Sequence, residues 1–278
     1  MSFKMSAAIS LVAFVGFSPA LYAQKAKTPT LGEILKRLEA NRNHYDKSLP
    51  SLFCDEHVVS QVEPDLNGEN AVIDSVFRLK RTKNADHTTT LVESRELQRV
   101  NGKPAISQPM MEYPFGLLKG AFGQGLAVVS LSQKACMKYK LDRVDKDRPA
   151  APYIVSFATA LTPQNNASCL LHEKGSGRVV IDPASMEITH LQLTVPRHVI
   201  ISGKPYASPV IGKWVFTVDY APVVLDGDTF WVPSATTSRD TGKDGFIPTV
   251  WSFEATYRNY HRLEVKSWIL PGSEEVEP

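Results

Sequence analysis

After the first 23 residues the chain has no stretch long and apolar enough to cross a bilayer, which takes about 20 residues. Nor is there a surplus of charge of one sign. The 31 Lys and Arg stand against 29 Asp and Glu, and a nucleic-acid partner would need a basic surface. Catalytic signatures are missing too. The sequence holds no Gly-x-Ser-x-Gly elbow, no Ser-x-x-Lys pair and no His-Glu-x-x-His. The glycines of 120–125, Gly-Ala-Phe-Gly-Gln-Gly, lack the order and the strand-to-helix setting of a dinucleotide loop. There is no internal repeat, no low-complexity linker and no break in composition, so one domain over 24–278 is expected. Cysteine is scarce, at three residues.

The opening residues do carry a pattern. Lys4 is followed by the apolar run 7–17 and by small residues ending at Ala23. This is the form of a secretory signal peptide over 1–23, and it places the mature chain in the periplasm or outside the cell. Lys4 is the segment's only charge, so its removal leaves the remainder within one charge of neutral. No Cys follows the apolar run, which argues against a lipid-modified N-terminus.

Residues 28–49 read as the one clear helix. Thr30 and Glu33 have the spacing of a capping box. Leu31, Ile34, Leu35 and Leu38 share one stripe. Burying those four side chains would contribute about 6–12 kcal/mol before entropy. From Phe53 onward the period changes from 3.6 to 2. Alternating runs recur at 53–62, 71–81, 88–100, 126–131, 136–144, 152–160, 178–182, 187–195, 249–260 and 263–270. The strongest is a hairpin in 212–238. Trp214, Phe216, Val218 and Tyr220 alternate with polar or smaller neighbours, Asp226-Gly227 supplies the turn, and the return strand ends at Pro233. Asn101-Gly102 marks a second tight turn. Residues 240–248 read as a polar turn and 196–209 as a loop. Ten to twelve antiparallel strands and one early helix imply a large curved sheet, with the helix on its concave face.

Two features bear on function. The segment 109–124 is apolar without strand periodicity. Met110, Met111, Phe115, Leu118 and Phe122 in it are candidates for a lip over a ligand groove, the alternative being a crossover packed in the core. Export also permits a disulfide. Three pairings are possible, and Cys136–Cys169 is favoured because each lies in or beside a strand-like run. Closing a loop of about 30 residues would stabilise by about 3–4 kcal/mol. Cys54 is then a free thiol, expected as a buried small hydrophobe. Asp55-Glu56-His57 is the densest polar cluster. On a strand Asp55 and His57 share one face and Cys54 and Glu56 the other. An exposed polar strand face is the simpler reading there, as it is for the basic run Arg78, Lys80, Arg81 and Lys83. His172, His190, His198 and His261 are scattered. No catalytic residue, metal ligand or cofactor is assigned.

Residues 180–188, Val-Ile-Asp-Pro-Ala-Ser-Met-Glu-Ile, place an Asp-Pro turn before a strand. The later pair Gly212-Lys213-Trp214 and Phe230-Trp231-Val232-Pro233 ends a strand in Trp-x-Pro. With an exported chain that opens on an amphipathic helix, these resemble the LolA/LolB/RseB-like periplasmic proteins, and the chain also looks like exported bacterial proteins of unknown function. The resemblance implies a half-open β-barrel that holds helices and lipid acyl groups in its concavity, with no fixed catalytic signature. The reading is therefore a non-enzymatic binding protein for a lipid, an acyl chain or a lipidated partner. An envelope interaction or structural module is the alternative, and a hydrolase using Asp55, His57 or Cys54 the second. Mass spectrometry of the exported protein checks the first step: its N-terminus should be Gln24, and retention of Met1 would exclude cleavage.

Overall fold

In a computed structural model of the chain, residues 28–64, 70–83, 89–105, 122, 129–143, 150–198, 210–244 and 247–264 are described. One helix, α1 (Leu31–Ser48), precedes eleven strands. These are β1 (Leu52–Glu63), β2 (Ala71–Lys83), β3 (Thr89–Val100), β4 (Lys103–Pro104), β5 (Met137–Arg143), β6 (Tyr153–Thr159), β7 (Ser176–Ile181), β8 (Ile188–His198), β9 (Val210–Leu225), β10 (Asp228–Asp244) and β11 (Ile247–Arg262). All belong to one antiparallel sheet, ordered β4-β3-β2-β1-β11-β10-β9-β8-β7-β6-β5. Every neighbour is also a neighbour in sequence, except β1 and β11. The two end strands β4 and β5 do not pair, so the sheet is open and not a closed barrel.

The tight turns form where the sequence places them. Asn101-Gly102 and Asp226-Gly227 both take positive φ, at 49° and 76° and at 55° and 86°, the geometry of a two-residue hairpin loop. Several strands outrun their expected ends. β10 passes through Pro233 to Asp244, because the register shifts between Pro233 and Ala235. A bulge is where a residue without an N–H can sit inside a sheet. β10 and β11 then pair out to Asp244 and Ile247, so 240–248 is mostly strand. β8 likewise runs through Pro196 to His198. In the other direction, Leu131, the last residue of the expected strand 126–131, opens a 3-10 turn over Leu131–Gln133, while 126–128 lie outside the described residues. Ser130 caps it by accepting a hydrogen bond from the Ser132 N–H at 3.2 Å. Leu263 and Glu264 lie beyond β11 outside any strand, and 265–270 fall outside the described residues.

α1 packs on one face of the sheet through the expected stripe. Ile34, Leu35 and Leu38 join a cluster with Val155, Phe157, Val179, Leu191 and Val218 of β6–β9. Two turns further on, Tyr45, and then Leu49, join a second cluster with Phe77, Leu79, Phe230 and Phe253 of β2, β10 and β11. The helix thus bridges both halves of the sheet. Its N-terminus carries the reciprocal capping box of Thr30 and Glu33. Its C-terminal carbonyls are met by Arg81 of β2, which donates to Leu49 O at 2.7 Å and Asp46 O at 2.6 Å. A cation there also suits the negative end of the helix dipole. Cys136 and Cys169 form the disulfide, with Cα atoms 5.6 Å apart.

One charged pair lies within the second cluster. Arg95 Nε donates to both carboxylate oxygens of Glu56, at 2.7 and 3.0 Å, and the Ser75 hydroxyl donates to the same carboxylate at 2.7 Å. The two side chains are 2% and 0% exposed. Removing one partner of such a pair costs about 3–5 kcal/mol, whereas replacing both by apolar residues of similar volume is often neutral or stabilising. Chemical denaturation should therefore show Glu56→Leu and Arg95→Met each strongly destabilised, and the double variant close to wild type. Additive losses in the double variant would contradict this.

Candidate functional site

The inner face, where α1 packs, has two places to consider. The first is the seam between helix and sheet. It encloses a cavity of about 20 Å³ lined by Leu38, Asn41, Tyr45, Glu187, Phe230 and Trp231. That is room for about one water molecule, so α1 packs closely on the sheet at this point. The helix is fastened by polar bonds as well. Asn41 Nδ2 donates to Met186 O at 2.9 Å, and Arg42 donates to the Ser130 hydroxyl at 2.7 Å. Glu39 accepts from the Leu131 N–H at 2.9 Å.

The second place is an aromatic slot over β1, β2 and β11. Phe77, Tyr257 and Tyr260 wall it, and Phe122 occupies it. The Phe122 ring stacks on Phe77 at 4.4 Å and meets Tyr257 edge-on at 5.2 Å and Tyr260 at 6.3 Å. Phe122 is 1% exposed, yet it belongs to no helix or strand. Glu93 of β3 accepts its main-chain N–H at 3.4 Å. The Arg95 guanidinium lies 4.9 Å from the Phe77 centroid on the way to Glu56, within cation–π range. Burial raises the Tyr257 and Tyr260 hydroxyl pKa values and pushes the Cys54 thiol up to about 12. Cys54 is thus a buried neutral thiol, as expected, and not a poised nucleophile.

The structure sorts the candidates accordingly. Phe122 sits in the core of the inner face, and Met110, Met111, Phe115 and Leu118 lie outside the described residues. Asp55 and His57 point to the outer face and Cys54 and Glu56 to the inner one. The three hydrolase candidates are therefore not brought together: Cys54 is across the sheet from the other two. His57 pairs with Asp74 at 2.7 Å, and Asp55 accepts from the Asn259 amide at 2.6 Å. His190 pairs with Asp219 at 2.6 Å. Among the described residues no three His, Cys, Asp or Glu side chains are grouped to hold a metal ion. The basic run is divided, with Arg78 on Glu96 at 2.5 Å on the outer face and Arg81 on the helix end. Glu56, Glu93 and Arg95 were not picked out as site residues. Their signal is parity: all three occupy positions that alternate with more exposed ones, in strands whose inward residues are otherwise mostly apolar.

No protein-family model matches the chain, and no curated protein does. Among solved structures it is similar to a LolA superfamily protein from Nitrosomonas europaea, at 10% identity over 86% of this chain and 96% of that one, with a TM-score of 0.35. It is also similar to a DUF1329 family protein from Desulfovibrio piger, at 7% identity over 84% and 94%, with a TM-score of 0.39. A third neighbour is the Pseudomonas aeruginosa MucB, solved with MucA, at 7% identity over 81% and 94%, with a TM-score of 0.20. The LolA superfamily is thus among the structural neighbours of the chain, as the sequence resemblance implied. No helix of the described residues is long and apolar enough to cross a membrane.

The seam carries a titration. Burial raises the Glu187 carboxyl from 4.5 to about 7, against a smaller lowering by its hydrogen bond to Asn41. Between those two values the folded chain holds a proton that the unfolded chain has released. Stability from this group is therefore present below about pH 4.5 and lost as pH rises to about 7. In melting curves across that window, wild type should lose stability relative to Glu187→Gln as pH rises. A constant difference would show that Glu187 does not titrate there.

Proposed function

We propose that the protein is an exported binding protein without chemistry of its own, and that it holds an acyl chain of a lipid or lipidated partner in the aromatic slot of the inner face. The observation that carries this reading is the seat of Phe122. An apolar side chain from outside the sheet and the helix packs between Phe77, Tyr257 and Tyr260. A surface that takes one such group from outside the sheet is suited to another. Each methylene buried in its place would contribute about 0.8 kcal/mol. The signal-like N-terminus and the Cys136–Cys169 bridge support export, since such bridges persist in oxidising compartments.

Glu93 favours a second reading. It accepts the main-chain N–H of Phe122, which is also how a partner's aromatic residue would be held. The envelope interaction module would then use the same slot.

Phe122→Ala tests both. Emptying the slot should destabilise the fold by about 3–5 kcal/mol. It should also tighten binding of dansyl-undecanoate about tenfold or more, or 1.4 kcal/mol, followed by fluorescence. Native mass spectrometry of wild type purified from its own envelope should show a bound acyl species. If neither protein takes up the probe and the native spectrum shows no adduct, the acyl reading fails. A Phe-containing peptide that binds Phe122→Ala and not wild type would then favour the interaction module.

A further inference from the structure

We propose that the outer face of β4, β3, β2, β1 and β11 carries a second, separate site, for a neutral hydroxyl-rich chain such as an oligosaccharide. The place is a cleft of about 860 Å³, which crosses the strands on the side opposite α1. Its floor is built by register. Arg99 of β3 stands opposite Asp74 of β2, Asp74 opposite His57 of β1, and His57 opposite Thr256 of β11. These residues form one row at right angles to the strands. In the next row Asp55 stands opposite Arg258. From β4 to β11 is four strand spacings, about 19 Å, the reach of an extended chain of several rings.

Two bulges meet at this cleft, and each sets an amide into it. Between Asp74 and Ser75 the register slips, and Gln98 is the extra residue on β3. Between Phe53 and Asp55 it slips again, and Asn259 is in the surplus on β11, with φ of 56°. Bulges interrupt the ladder and re-aim side chains. Gln98 and Asn259 both line the cleft. Asn259 is held in place by donating to Asp55 at 2.6 Å, and Gln98 donates to Glu96 at 3.3 Å.

The charge of the lining selects the occupant. Arg99 and Arg258 balance Asp55 and Asp74, while Glu56 turns its side chain to the inner face and Arg95. An anion placed here meets two aspartates, and a cation meets two arginines. A neutral polyol donates to the aspartates and accepts from the arginines and amides. Among the described lining residues the apolar side chains are Val76 and Pro104, too few to grip an apolar ligand.

Calorimetry on the full exported chain, with maltotetraose, cellotetraose and chitotetraose as probes, tests this. Sodium phosphate and tetralysine serve as charged controls. At least one tetrasaccharide should bind, and neither control should bind as tightly. Asn259→Gly keeps the positive φ accessible while deleting the amide, and Gln98→Ala deletes the other. Each should weaken the saccharide about tenfold, the effect of losing one hydrogen bond at a site of matched polar groups, with unchanged circular dichroism. If no tetrasaccharide binds, if phosphate or tetralysine binds more tightly, or if both folded variants bind as wild type does, the proposal is overturned.

Discussion

One requirement governs this fold: an open sheet of eleven strands has an apolar face that must be kept from water. Ten strand spacings make that face about 48 Å wide, while the 18 residues of α1 make a rod about 27 Å long. The helix is too small to cover the face. It is placed where it does most, across the middle, with one end in each apolar cluster. Its polar side is tied down by Asn41, Arg42 and Glu39, and its C-terminus by Arg81. What remains must be covered by other means. Phe122, buried between Phe77, Tyr257 and Tyr260, is the described example.

The inner face is not uniformly apolar. Glu56 and Arg95 face each other across β2, with Phe77 beneath the guanidinium and Ser75 completing the carboxylate. Such a pair is a poor source of stability compared with two aliphatic side chains. It does fix how β1, β2 and β3 are aligned, because a slip of one residue would turn either charge to the other face and leave its partner buried alone. The same registry sets the rows of the outer face. His57, Asp74 and Arg99 fall into one row, and Asp55 into the next, while Glu56, Ser75 and Arg95 are locked on the opposite side. The two surfaces have different chemistry and share one constraint.

Much of this was legible in the residues. The capping box of Thr30 and Glu33, the Leu and Ile stripe, the Asn101-Gly102 and Asp226-Gly227 turns, and the faces of Cys54, Asp55, Glu56 and His57 all follow from local rules. So does the bridge between Cys136 and Cys169, within the three pairings open to it. What local rules miss is tertiary. Pro233 looks like a strand end until a bulge accommodates it. Residues 240–248 look like a turn until β10 and β11 pair from Ala235 and Thr256 out to Asp244 and Ile247. Arg81 reads as one more surface cation, and only the packing of α1 brings the helix carbonyls to it. Glu56, Arg95 and Glu93 could have been flagged by parity, but which of them meet depends on registers the sequence does not state.

The pairing of β1 with β11 has a consequence for how the chain comes into being. Residues 52–63 cannot take their place at the centre of the sheet until residues 250–262 exist to lie beside them. The first strand to be synthesised therefore waits for nearly the last, and contacts of such long sequence separation make folding slow. The nine strands made in between can pair with their sequence neighbours as they appear, but the two halves of the sheet are joined only when the last strand, β11, has been made.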